Sequence, residues 1–135
     1  MKEKEKEIQQ KATELQFLEQ HINTIQQHLH ALNKKSQELE QLRENLTEIN
    51  KIKKITPIIS EISNNVFLKC EMKETNNFLV NVGANIVIEY TAEEADKLIE
   101  DQIKHINNST EKIESQLSKL VTQMQLKQEE LVNMH

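Results

Sequence analysis

Ile62-Ser63-Asn64-Asn65-Val66-Phe67-Leu68-Lys69 and Val82-Gly83-Ala84-Asn85-Ile86-Val87-Ile88-Glu89 follow one plan, twenty positions apart. Each runs apolar residue, three turn formers, three apolar residues, charge. Asn and Gly tolerate positive φ, which tight hairpins demand, so each copy reads as two strands and a turn. Residues 57–90 therefore read as four strands, with a further turn from Glu74 to Asn77. By the two-residue strand period, Val66, Leu68, Cys70 and Met72 share one face. Phe78, Val80 and Val82 share another, as do Ile86, Ile88 and Tyr90. Two hairpins this small cannot bury both of their own faces. The pattern points to an assembly rather than to an enzyme.

Heptads flank the hairpins on both sides. The first helix is expected from about Glu5 to about Lys53. Its seam is Ile8, Leu15, Leu18, Ile22, Ile25, Leu29, Leu32, Leu39 and Leu46, interrupted by Lys11, Ser36 and Arg43. Thr56-Pro57 is expected to stop it, because proline disfavours helix in the residue before it. The second helix is expected to start at Thr91, where Thr91 and Glu94 form a capping box and Glu93 suits the positive helix end. Its seam is Ile99, Ile103, Ile106, Thr110, Ile113, Leu117, Leu120, Met124, Lys127, Leu131 and Met134, in alternating steps of three and four. That spacing is a coiled-coil signal. At 1.5 Å per residue each helix would be roughly 65–75 Å long. Antiparallel pairing would set residues opposite each other whose numbers total roughly 144. The organisation expected is a single domain over 1–135 of α+β class, mostly α: a long antiparallel coiled-coil hairpin made of one helix (1–55) and a second (91–135), joined by two β-hairpins for oligomerisation (56–90).

Composition favours this architecture over a globular core. Of 135 residues only 3% are aromatic, with one Gly, one Pro and no Trp, and mean hydropathy is −0.68. Long amphipathic helices need only a narrow apolar stripe. The strict periodicity argues against disorder. Net charge is −5; the basic surface that nucleic-acid binding needs is missing, and Lys51, Lys53 and Lys54 form the one basic cluster. No apolar run approaches the roughly 18 residues of a membrane span. The N-terminus is charged and lacks a signal-peptide core, and the lone Cys70 cannot pair internally, so a cytoplasmic setting is expected.

No catalytic constellation is visible. His21, His28, His30, His105 and His135 have no zinc-ligand spacing. Cys70 alternates with Leu68 and Met72 and reads as a small buried hydrophobe. No cofactor or metal is expected. The apolar residues off the seam say more: Phe17, Ala31 and Ile52 at c positions and Leu42 and Ile49 at g in the first helix, Leu98 and Leu126 at c and Ala95 at g in the second. One flank of the helix pair is thus more apolar than two helices require.

Phe78-Leu79-Val80-Asn81-Val82-Gly83-Ala84-Asn85-Ile86-Val87-Ile88-Glu89-Tyr90, followed by Thr91-Ala92-Glu93-Glu94-Ala95, resembles the α-type subunits of prefoldin. The likeness covers essentially the whole chain, and two hairpins rather than one favour the α over the β type. At the first turn the chain departs from the family's usual glycines, with Ser63-Asn64-Asn65. The resemblance implies an ATP-independent chaperone, not an enzyme. It implies a hexamer of two α and four β subunits with a β-barrel base, capture of unfolded clients at the coiled-coil tips, and transfer to a group II chaperonin. On that reading the client-binding residues are Ile8, Leu15, Phe17, Leu126, Leu131 and Met134. Val66, Leu68, Cys70, Phe78, Val80, Val82, Ile86 and Ile88 serve oligomerisation, with Gly83 at a turn. The alternative is a structural coiled-coil adaptor, or a prefoldin-like subunit of another complex. A coiled-coil arm of an enzyme is a further class, opposed by the missing catalytic remainder.

Overall fold

A computed structural model of the chain describes residues 2–52, 54–73 and 76–134. Six elements follow in order: helix α1 (Lys2–Asn50), strands β1 (Thr56–Ser63), β2 (Val66–Met72), β3 (Asn77–Gly83) and β4 (Ile86–Thr91), and helix α2 (Ala92–Asn133). Contacts divide the chain into two compact units, Met1–Ser36 with His105–His135, and Gln37–Lys104.

Neither helix contains Gly or Pro, and both are rich in straight-chain helix formers. Every seam residue expected from the heptads is buried or half-buried. Ile22 and Ile25 are buried in the first unit; Leu39, Ile99 and Ile103 are buried in the second. Among the described residues Ala95, at a g position, is the most completely buried, at 1% exposure.

Two of the three interruptions in the first seam, Lys11 and Arg43, are answered by charge, as is Lys127 in the second. Within the second unit, Arg43 Nε and Nη2 donate to the two carboxylate oxygens of Asp96 at 2.8 and 3.1 Å, and Glu100 lies 3.9 Å from Nη2. Within the first, Lys11 pairs with Glu130 and Lys127 with Glu14, each at 2.7 Å. Both lysine pairs total 141 in residue number, close to the roughly 144 read from the sequence. The helices in each unit run antiparallel, as expected.

Helix α1 ends earlier than Pro57 would make it. The backbone tightens at Asn50: the N–H groups of Lys51 and Ile52 donate to the carbonyls of Glu48 and Ile49, three residues back. Such bonds satisfy terminal carbonyls that have no other partner. Pro57 instead lies inside β1, opposite Glu71, in a strand with one neighbour. Proline is tolerated on an edge strand, where a nitrogen facing away from the partner has no ladder bond to lose. Lys53, and Glu74 and Thr75 of the expected central turn, lie outside the described residues, as does His135.

Helix α2 begins as its cap dictates. Thr91 Oγ1 accepts the Glu94 N–H at 3.1 Å and donates to Glu94 Oε1 at 3.1 Å. The Ala92 N–H donates to the Asn76 carbonyl at 2.9 Å, tying the start of α2 to the approach to β3.

Candidate functional site

Each hairpin is a separate two-stranded antiparallel sheet, β1 with β2 and β3 with β4. Register decides what each face presents. In the second hairpin Phe78 faces Tyr90 and Val80 faces Ile88. The two apolar sets expected separately, Phe78 and Val80 with Ile88 and Tyr90, thus merge on one face. The opposite face carries Leu79 beside Glu89 and Asn81 beside Val87. In the first hairpin Ile58 faces Cys70, Ser60 faces Leu68 and Thr56 faces Met72, so Leu68, Cys70 and Met72 do share a face.

The turns repeat as the sequence does. In each hairpin the register shifts at the last strand positions, between Glu61 and Ser63 and between Asn81 and Gly83. Two residues then make the turn. Asn64 and Asn65 have φ of 48° and 65°; Ala84 and Asn85 have φ of 50° and 62°. Two consecutive positive φ angles match the hand of strand twist. Gly83 stands just before this turn, at φ 114°, and its N–H donates to Asn81 Oδ1 at 2.9 Å. No neighbour would meet a Cβ there, so glycine is required by backbone conformation and not by space. Ser63 holds the equivalent place without a positive φ, so the first bulge is built differently. Ala84→Gly is expected to stabilise the second hairpin by up to about 1 kcal/mol, since alanine in the left-handed region carries a Cβ penalty. Gly83→Ala should destabilise it by at least as much, about 1–3 kcal/mol. Thermal denaturation of both variants checks the pair.

A single chain leaves this surface uncovered. Val66, Phe67, Leu68, Val82, Ile86, Val87 and Ile88 are all exposed, and Leu79 is 76% exposed. Phe78, Val80, Cys70, Met72 and Tyr90 are half-buried. Isolated two-stranded hairpins are marginal in water, so the face of Val80 and Ile88, and that of Leu68 in the first hairpin, need cover from outside the chain; Phe67, Leu79 and Val87 stand on the opposite faces.

The chain-terminal end of the helix pair is the other apolar surface. Phe17 is 66% exposed and Leu126 56% exposed, as their c positions imply. Ile8, Leu15, Leu131 and Met134 are half-buried in the seam. Hydrogen bonding to Lys11 holds the Glu130 carboxyl below its ordinary range, and the same bond raises the Lys11 ammonium. Arg43 does likewise to Asp96. The depressed carboxylates contribute stability above their unfolded values, and it is lost as pH falls through the folded ones. The raised Lys11 contributes below its unfolded value and loses that contribution as pH rises through the folded one.

A family model described as prefoldin subunit matches residues 18–133, most of the chain. The chain belongs to the prefoldin subunit family. Among its relatives, prefoldin subunit alpha of Archaeoglobus fulgidus is 29% identical over 127 residues, covering 94% of this chain and 93% of that protein. Prefoldin subunit alpha of Pyrococcus horikoshii is 30% identical over 121 residues, 89% of this chain and 82% of that one. The fold matches a chain of the filamentous prefoldin of Methanocaldococcus jannaschii, with a TM-score of 0.75, 20% identity, and coverage of 89% of this chain and 96% of that one.

Membership makes this a chaperone-type prefoldin subunit built to assemble, whose barrel closes only when subunits come together. Among the described residues no helix is long and apolar enough to cross a membrane, and no group of side chains could hold a metal ion. Several exposed apolars carry no clear signal in the sequence. Val132 is 71% exposed at the chain-terminal end, one residue past the seam residue Leu131, where heptad reading assigns solvent. Ile59, Phe67, Leu79 and Val87 lie on the second face of each hairpin, hidden in runs of consecutive apolar residues that period two alone cannot divide. Near the start of α2 the apolar flank is partly used: Ile49, Ile52 and Leu98 are half-buried, while Leu42 stays exposed.

Proposed function

We propose that the whole of residues 1–135 acts as one prefoldin domain, one of two α-type subunits in a hexamer with four β-type subunits. Its hairpins contribute strands to the β-barrel base through Val66, Leu68, Cys70, Phe78, Val80, Val82, Ile86 and Ile88. The chain-terminal helix ends hold unfolded proteins through Phe17, Leu126 and Val132, with Ile8, Leu15, Leu131 and Met134 joining as the ends loosen. Clients pass to a group II chaperonin in the cytoplasm, without ATP.

One observation carries this reading: apart from Leu42 and Ile55, the exposed large apolar side chains among the described residues fall at two places, the hairpin faces and the helix ends. The hairpin set is continuous and matched by register, as a specific subunit contact requires. The helix-end set is scattered among polar residues, which suits weak contact with many sequences and release without nucleotide hydrolysis. The test is aggregation of a chemically unfolded client in the presence of the chain co-assembled with a β-type subunit, without ATP. Suppression, followed by refolding once a group II chaperonin and ATP are added, is the expected result. Binding of a single folded protein with no protection of unfolded clients would instead favour an adaptor.

A further inference from the structure

Two lysines occupy seam positions at the chain-terminal end of the helix pair, where apolar residues would bury more surface. Each is answered from the other helix. Lys11 Nζ donates to Glu130 Oε2 and Lys127 Nζ to Glu14 Oε2, both at 2.7 Å. The four residues are two copies of one motif, Lys-x-x-Glu, at Lys11–Glu14 on α1 and Lys127–Glu130 on α2. Antiparallel pairing lets the motif meet itself. Ile8, Leu131 and Met134 lie on the terminal side of this layer, and Leu15 and Met124 on the inner side, all half-buried.

The layer singles out one register. A slip of one seven-residue heptad either way leaves every hydrophobic step in place. In one direction it sets Glu130 against Leu18 and Lys127 against His21. In the other it sets Glu14 against Leu120 and Lys11 against Gln123. Polar seam residues give up stability for this kind of specification. The lysine stems lie along the seam while their heads reach out to partners that stay partly solvated, at 53% exposure for Glu130 and 42% for Glu14. Contacts of that kind are screened by salt, whereas an apolar pair is not.

We propose that the double Lys-x-x-Glu layer is a clasp, which fixes the helix register yet lets the segment beyond it, with Ile8, Leu131 and Met134, open to receive an unfolded chain. This rests on the reading of the helix ends as the client-binding part. The clasp explains why a seam regular enough for hydrophobic residues carries lysine twice at the end where side chains must become available.

The test uses the full chain in its assembly and follows amide hydrogen exchange in residues 2–10 and 128–134. In the parent, exchange there should speed severalfold between about 0.05 and about 0.5 M salt. Lys11→Leu with Lys127→Leu should slow exchange by about tenfold and remove the salt dependence. Binding of an unfolded client should weaken, although Phe17, Leu126 and Val132 are untouched. Reversing all four charges (Lys11→Glu, Glu14→Lys, Lys127→Glu, Glu130→Lys) should restore both the salt dependence and client binding. Unchanged exchange in the leucine variant would overturn the clasp. Slowed exchange with undiminished client binding would overturn its role in capture. The client-binding reading fails separately, if Phe17→Ser with Leu126→Ser leaves capture intact.

Discussion

Val80→Asp or Ile88→Asp is expected to abolish the assembly while leaving the helices folded. The two residues face each other across β3 and β4, so each change strikes the same point on the apolar face. Closing a barrel over that face would bury an unpaired carboxylate, which costs several kcal/mol and acts at every equivalent contact. Loss of assembled species by more than about 100-fold is the expected magnitude. Helical content should hold, because the seam residues of α1 and α2 are untouched. Leu79→Asp supplies the contrast: it lies one residue away, on the other face and far more exposed, and assembly should survive it. Mass in solution and circular dichroism separate these outcomes. Assembly retained by both Val80→Asp and Ile88→Asp would remove the hairpin face from the interface.

Replacing Phe17, Leu126 and Val132 together with serine is expected to spare assembly and impair capture. All three are exposed in the chain alone, so their loss should shift stability by no more than about 0.5 kcal/mol each. Each can bury apolar surface worth about 1.5–3 kcal/mol when a client covers it fully. Partial cover of three such groups still implies client binding weaker by at least about tenfold. Direct binding of an unfolded protein, with the melting temperature measured alongside, checks both halves.

Much of this fold was legible because it rests on periodicity. Heptads placed each seam residue correctly, from Ile8 to Met134, since two paired helices have only one stripe to bury. The repeat placed both turns, and the Thr91 cap placed the start of α2. Helix α1 ends at Asn50, a few residues before the stop that Pro57 predicts. Proline is a strong local stop, but the backbone had already tightened at Asn50, and Pro57 serves as an edge-strand residue instead. The ion pairs between the helices total 139 to 143 in residue number, close to the rough antiparallel register read from the heptads. That Phe78, Val80, Ile88 and Tyr90 share a face also needed strand register, which sequence period cannot supply. Val132 is not legible in the sequence, because heptad reading takes the position after a seam residue to be solvated and a valine there carries no further signal.

The most direct test of the account is photocrosslinking from the assembled protein to an unfolded client. A photoreactive phenylalanine analogue is placed, one position at a time, at Phe17, Leu126, Val132, Ile59 and Val80, and the β-type subunit is supplied. The account requires client adducts from 17, 126 and 132, with subunit adducts from 80. Client adducts confined to 59 and 80, with none from the helix ends, would contradict it.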